Sequence, residues 1–293
     1  MARFSKIYPI HILTFLFAVP YYFFIPLKHE PILYVFQAIT NLSLIHSFIP
    51  FGNISFNGVS WSLSDEIFFY ALFPFIVHLI LKYKDNLLRI GIITVVCFVF
   101  LLILFSILPS NLALTRWFVY FFPVTRIFEF IVGVVLGVIY LKLQKNFSKM
   151  SKTNATLLEI ITLIMIIVTV VLSPQFNDNL RYGLVFAPFW SLIIFIFAFQ
   201  KGIISTLLKN KILVYLGEIS FSFYMVHNLI LSYILFLWKP DINMTLLICL
   251  CFILTLITSS LLYHCYEEPM RKRVKQFFYT KLEYKKFRTK KIG

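Results

Sequence analysis

The sequence predicts an all-α fold: a polytopic integral membrane helix bundle of about eight spanning helices plus one re-entrant or interfacial helix. Three observations predict it. First, 60% of the 293 residues are hydrophobic and only 13% are charged. A soluble domain averages about 45–50% apolar and about 25% charged residues. Second, apolar runs near the ~20 residues needed to cross a bilayer recur along the whole chain. Third, the Lys and Arg residues fall almost entirely on one side of the path those runs imply. This composition excludes a soluble globular enzyme, a disordered chain and a disulfide-stapled secreted module.

The elements follow in order. Ile7–Leu27 comes after Met1-Ala-Arg-Phe-Ser-Lys6. It is too long for a signal-peptide core and no small-residue cleavage site follows, so it is read as a retained span. Pro31–Ile49 is apolar but carries Gln37, Asn41 and His46 and is bounded by prolines. Seven further runs have spanning length: Trp61–Leu81, Leu88–Leu108, Trp117–Leu141, Ala155–Leu172, Gly183–Gln200, Val214–Trp238 and Asn243–Tyr266. Residues 1–270 form the membrane domain in this reading. Residues 271–293 form a basic cytoplasmic tail suited to anionic headgroups.

Charge placement decides the status of Pro31–Ile49. With the N-terminus inside and that segment not spanning, 22 basic residues face the cytoplasm. They are Arg3 and Lys6; Lys82, Lys84 and Arg89; Lys142, Lys145, Lys149 and Lys152; Lys201, Lys209 and Lys211; and ten from Arg271 to Lys291. Only Lys28, Arg116, Arg181 and Lys239 face outward, and Arg126 lies within a span. If Pro31–Ile49 crossed, most basic residues from Lys82 to Lys211 would face outward, against the positive-inside rule. Pro31–Ile49 is therefore an outer-face re-entrant or interfacial helix packed on protein. Both termini are cytoplasmic.

The net charge of +15 is thus a topology signal and implies no nucleic-acid partner. Cys97, Cys249, Cys251 and Cys265 sit within or at the end of apolar runs, read as small buried residues, and supply no metal site. Phe occurs 35 times, and no function is read from that number. Nucleophile-elbow, Walker A, zinc-protease and dinucleotide-binding motifs are absent.

Ionisable groups inside spans are costly and therefore candidate functional residues. Asp65 and Glu66 lie at the outer start of their span, where Ser62 or Ser64 could cap the helix. Glu66 and Tyr70, four apart, share a face. Arg126 and Glu129, three apart, lie near mid-membrane, where a buried ion pair needs a reason to exist because apolar residues are usually as stable. Gly133 and Gly137 follow as G-x-x-x-G, a spacing that permits close helix contact. His227 lies about 20 Å into its span, on a stripe with Ser220, Phe223 and Tyr224. His78 and Glu159 have weaker settings and read as structural, while Glu218 and His264 sit near span ends.

Several segments together resemble the membrane-bound acyltransferase 3 family, the carbohydrate O-acyltransferases of bacteria. Arg3-Phe-Ser-Lys6-Ile-Tyr-Pro9 is similar to the family's R-x-x-R-I-Y-P, with Lys6 in place of the second Arg. Trp61-Ser-Leu-Ser-Asp-Glu66-Ile-Phe-Phe-Tyr70 resembles W-S-L-S-V-E-x-x-F-Y. Arg126-Ile-Phe-Glu129-Phe-Ile-Val-Gly133 resembles R-x-x-E-F-x-x-G. Leu216 to His227 resembles L-G-x-I-S-Y-S-x-Y-L-x-H, and Glu267-Glu268-Pro269 resembles a closing E-x-P. The matches run in family order over nearly the whole chain.

The resemblance implies a chemistry. An acyl group, often acetyl, passes from cytosolic acyl-CoA to a hydroxyl on an extracytoplasmic glycan or lipid-linked sugar, such as a lipopolysaccharide O-antigen. Acyl-CoA is a co-substrate, and no bound cofactor is implied. The implied location is the bacterial cytoplasmic (inner) membrane. Arg3 and Lys6 would meet coenzyme A phosphates at the cytoplasmic mouth, Lys6 keeping the charge but losing the bidentate fork. Glu66, Glu129 and His227 are the catalytic candidates. Arg126, Tyr70, Ser220 and Tyr224 are candidates for substrate binding.

One departure stands out. The family opens with a span bearing R/K-x10-H, whose His is taken as the general base. No His here has Lys or Arg eleven residues earlier. Eight spans against ten in the family imply that the first two are missing. A start codon placed too late, a truncated gene product and a protein that lost catalysis each account for this. The chain as given is accordingly expected to be inactive or weak. Two other readings stay open: a transporter or flippase of lipid-linked sugar, and a non-catalytic partner in surface-glycan assembly.

Overall fold

The structure is a computed structural model that describes residues 3–24, 31–238 and 243–278. Among the described residues there are helices, turns and loops but no strand. The helices are α1 (Phe4–Phe24), α2 (Pro31–Leu42), α3 (Trp61–Lys82), α4 (Leu87–Ile107), α5 (Ala113–Arg116) and α6 (Pro123–Ser148). They continue as α7 (Lys152–Leu172), α8 (Asp178–Gly183), α9 (Ala187–Ala198), α10 (Ile203–Leu207), α11 (Lys211–Trp238) and α12 (Met244–Leu262).

Seven stretches among the described residues are helical, long and apolar enough to cross a membrane: Gly58–Lys82, Leu87–Ile107, Ala113–Phe147, Lys152–Gln175, Asp178–Ala198, Lys211–Leu237 and Met244–Phe278. They coincide with seven of the eight predicted spans. The eighth, Ile7–Leu27, is helical over Phe4–Phe24, and its last three residues lie outside the described part. So do Lys28, Lys239 and tail residues 279–293. α2 has 12 residues, about 18 Å of helix, which is short of a ~30 Å hydrocarbon core. A 3-10 turn, His46–Phe48, follows it.

The pattern of burial is that of a membrane protein. On α4, Leu88, Ile92, Val95, Val96, Val99, Phe100, Ile103 and Ile107 are all exposed. Apolar faces of this extent on a water-soluble molecule would be an aggregation site. Ser5, His11, Asn41, His46, Ser47, Ser60 and Ser64, in contrast, are fully buried.

The chain divides into two compact units, residues 1–67 with 215–293, and residues 68–214. In the first, a cluster of aromatic rings seats the loop after α2. Phe56 lies 4.4 Å from Phe15, 4.6 Å from Tyr22 and 5.2 Å from Tyr34, ring centre to ring centre. The same loop holds three non-glycine residues in the left-handed region: Leu44 (φ 55°), Phe51 (φ 63°) and Phe56 (φ 57°). Such residues cost about 1–3 kcal/mol each and persist only where surrounding contacts over-determine them. Ser62 and Ser64 do not cap α3. Their hydroxyls donate to the carbonyls of Val59 and Leu44, which ties the helix entry to that loop.

The second unit is built around Phe105, Val119, Phe128 and Leu184. Asn179 donates to the carbonyls of Phe105 and Leu108, fastening α8 to the end of α4. Glu159 is structural, as its sequence setting predicts. Its buried carboxylate accepts the N–H groups of Gly202, Ile204 and Ser205 at 3.1, 3.0 and 3.3 Å. Thr156 accepts that of Ile203. The orphan donors at the start of α10 are thereby satisfied from α7. Gly202 is required there, since a Cβ would stand 2.1 Å from the Glu159 carboxylate.

The G-x-x-x-G expectation needs correction. Nothing lies within 4 Å of where a Cβ would stand on Gly133 or Gly137. Neither glycine brings a second helix close; both open onto a cavity.

Candidate functional site

Pro123 at the first position starts α6, where its missing N–H costs nothing. This places Arg126 and Glu129 on one face, one turn apart. Arg126 Nη1 sits 3.0 Å from Glu129 Oε1 and donates to the Gly183 carbonyl at 3.1 Å. The guanidinium also lies 5.6 Å from the centre of the Tyr120 ring. Tyr120 belongs to a five-residue π-helical segment, Trp117–Phe121, a distortion frequent at functional sites. A carboxylate, a carbonyl and an aromatic face thus fix one cation.

This cation and its carboxylate open onto a cavity of about 570 Å³ between α6 and α9, entirely within residues 68–214. That volume is typical of a small-molecule site. Arg181, Trp190, Tyr140 and both glycines of the α6 face also line it. Both side chains of the ion pair are partly accessible, Arg126 at 20% and Glu129 at 30%. The pair therefore lines a site and is not sealed in a core. Fixed N–H donors beside a carboxylate can bind an anion or stabilise negative charge developing on a carbonyl oxygen.

Tyr70, the other candidate in this unit, meets Phe130 edge-on at 6.3 Å.

The remaining candidates lie in the other unit. Glu66 is half-buried on α3. Tyr224 donates to the Val59 carbonyl at 3.1 Å and pairs with the Ser62 hydroxyl at 2.9 Å. His227 Nδ1 is 2.6 Å from the Tyr224 carbonyl. A carbonyl only accepts, so Nδ1 carries the proton and a neutral ring keeps its Nε2 lone pair. Ser220 is exposed and its hydroxyl donates back to the Gly217 carbonyl at 2.8 Å. Arg3 is exposed at the start of α1. Lys6 Nζ lies 5.6 Å from the centre of the Phe221 ring.

Two clusters escape a reading of the sequence. His11 Nε2 donates to the Asn41 carbonyl at 3.0 Å. Asn41 donates to the Ser55 carbonyl at 2.9 Å and to the Ser60 hydroxyl, which also meets His46 Nε2 at 3.2 Å. Burial first, and then the neighbouring His11, hold the His46 pKa down from 6.5 to about 3, against a backbone hydrogen bond at Thr40 that raises it. The second cluster centres on Glu267, which is 1% exposed and accepts the Ser222 hydroxyl at 2.6 Å. Glu267 closes a second π-helical segment, Tyr263–Glu267. In the sequence its only signal is its place in the closing E-x-P.

The acyltransferase 3 family model, described as an acyltransferase domain, matches residues 1–264. The chain belongs to the acyltransferase 3 family. It is also 31% identical over 245 residues to the acyltransferase MdmB of Streptomyces mycarofaciens, an alignment covering 79% of this chain and 60% of that protein. The chain therefore spans about 60% of its curated relative's length. No solved structure matches it. Within the acyltransferase 3 pattern, the R-x-x-E stretch is the one that supplies charged residues to the cavity. The chain is a multi-pass membrane protein of an acyltransferase family.

Proposed function

We propose that this protein transfers an acyl group, acetyl foremost, from cytosolic acyl-CoA to a hydroxyl of an extracytoplasmic or lipid-linked glycan in a bacterial cytoplasmic membrane. One observation carries the reading: Arg126, held by Glu129, Gly183 and Tyr120, presents its guanidinium to a cavity of small-molecule size. The acceptor hydroxyl sits beside Glu129. Its oxygen attacks the thioester carbonyl, and its proton passes to the Glu129 carboxylate. Arg126 N–H groups stabilise the carbonyl oxygen as it gains negative charge. The C–S bond breaks, the thiolate leaves, and the proton held by Glu129 restores the thiol.

As a separate proposal confined to the other unit, Arg3 and Lys6 are candidates to meet coenzyme A phosphates. Arg3 is exposed and Lys6 half-buried at the start of α1, so both cations are accessible to a soluble donor. His227, whose Nδ1 donates to the Tyr224 carbonyl, and Glu66 are the alternative bases.

The test is transfer of label from radiolabelled acetyl-CoA to the glycan and lipid fractions of membranes carrying the protein. Glu129→Gln is expected to abolish transfer, while His227→Gln retains most of it. The reverse pattern moves the base to His227 and refutes the role given to Glu129.

A further inference from the structure

The trough beside Arg126 has a neighbour. A second pocket of about 170 Å³ lies between α4, α6 and α9, entirely within residues 68–214. The two share Glu129, Ala187 and Ser191, so the Glu129 carboxylate stands on the seam between them. Beyond that seam the lining is hydrocarbon: Val95 and Phe98 from α4, Phe128 and Val132 from α6, and Pro188 from α9. Thr94 contributes a hydroxyl, which donates to the Ile90 carbonyl of its own helix at 2.9 Å. Phe128 belongs to the packed core around Phe105, and Phe98 packs against that core with its ring 6.1 Å from that of Phe128. This wall is therefore held in place by the core.

Such a lining selects by chemistry and by size. A sugar or a phosphate placed there would leave oxygens without partners, which is costly, whereas an alkyl chain leaves none. An apolar cavity of about 150 Å³ holds one benzene molecule, so a chain of about four to six carbons fills this one. The reacting carbon supplies the connection. Its carbonyl oxygen is turned to Arg126, and its sulfur and the attacking hydroxyl lie on the trough side. The remaining substituent is the acyl tail, and the opening at Glu129 is where it has room.

We propose that this second pocket seats the acyl tail of the thioester donor, and that the protein transfers acyl groups longer than acetyl, up to about six carbons. That the tail belongs to a thioester rests on the function proposed above; that the pocket takes a short alkyl chain presented at Glu129 does not. The bonds are those already given: the acceptor oxygen joins the carbonyl carbon, the C–S bond breaks, and the hydroxyl proton reaches the leaving thiolate by way of Glu129. Acetyl is the shortest group the site admits and ends at the seam. Each methylene beyond it that leaves water for the pocket adds up to about fourfold to kcat/KM.

Two measurements on the full chain, reconstituted in phosphatidylcholine vesicles, test this. The first is photolabelling with a hexanoyl-CoA that bears a diazirine on carbon 5. Label is expected in residues 94–98 or 128–132, and excess hexanoyl-CoA is expected to displace it. Label confined to other residues, or none, would overturn the pocket. So would equal labelling of those residues by a diazirine-bearing phosphatidylcholine that hexanoyl-CoA does not displace, which would make the pocket a groove for bilayer lipid. The second is label transfer in membranes from acetyl-, butyryl-, hexanoyl- and decanoyl-CoA. Butyryl and hexanoyl are expected to match or exceed acetyl in kcat/KM, and decanoyl to gain nothing over hexanoyl. Thr94→Leu fills the pocket and is expected to lower the hexanoyl-to-acetyl ratio about tenfold, while Thr94→Ser keeps it. A tenfold fall from acetyl to butyryl in wild type, or an unchanged ratio in Thr94→Leu with wild-type helix content, would overturn the assignment. Labelling of the pocket without transfer of any acyl group sinks the function and leaves the pocket. Transfer with labelling elsewhere leaves the function and sinks the pocket.

Discussion

Arg126 is the residue on which the site turns, and its three contacts predict how substitutions behave. Arg126→Gln removes the charge and most of the donors and is expected to cut acyl transfer by about 10²-fold or more. Arg126→Lys keeps the charge but loses the planar guanidinium beside the Tyr120 ring and the N–H donors other than those on Nη1, and is expected to recover only part of that loss in label-transfer assays. His46 makes a different prediction. Its folded pKa lies near 3, below the ordinary 6.5, so between those values the unfolded chain binds a proton that the folded chain does not. The stability involved is present above pH 6.5 and is lost as pH falls toward 3, at most about 1.4 kcal/mol per pH unit. Melting of the detergent-solubilised protein between pH 7 and 4 should therefore fall more steeply for wild type than for His46→Gln. Equal slopes would remove His46 from the account. The sequence made Arg126 and Glu129 legible because charge inside an apolar run is conspicuous. It left His11, Asn41 and His46 unassigned because their partners come from positions 41 to 60, and only the folded loop brings them together.

At the scale of elements, the spans were legible from length and hydropathy because a bilayer imposes both. The Gly133–Gly137 spacing misled, since the same small residues serve a close helix contact or an open trough, and only the neighbours decide. Elements whose ends are held from afar were hidden altogether. Glu159→Ala strips the acceptor from three N–H groups at the start of α10 and is expected to cost about 3 kcal/mol. Gly202→Ala displaces the same carboxylate and should cost a similar amount. Because both act on one contact, the double variant should lose much less than the sum. Denaturation in detergent measures all three, and strict additivity would contradict the shared contact. The loop after α2 offers a sharper comparison. Phe51 is 71% exposed with a positive φ, so Phe51→Gly relieves strain and should be neutral or stabilising by up to about 1 kcal/mol. Phe56 has the same backbone region but sits among Phe15, Tyr22 and Tyr34, so Phe56→Gly should destabilise by about 3 kcal/mol through lost packing.

For the whole molecule, the partition of basic residues predicts that both termini, Lys84 and Lys145 face the cytoplasm and that Arg181 faces outward. Reporter fusions at those points should show that alternation; an outward Lys145 would mean that Pro31–Ile49 crosses after all. How the chain organises into two compact units was not legible, because α3 and α11 each read as one uninterrupted apolar run while serving both. The central claim is that the Arg126–Glu129 cavity is where acyl transfer occurs. Its most direct test is the rate at which membranes carrying the protein move label from radiolabelled acetyl-CoA into glycan or glycolipid, wild type against Arg126→Gln at equal expression. The account predicts weak transfer, above host background, for wild type and its loss in Arg126→Gln. Undiminished transfer by Arg126→Gln, or none by wild type, would contradict it.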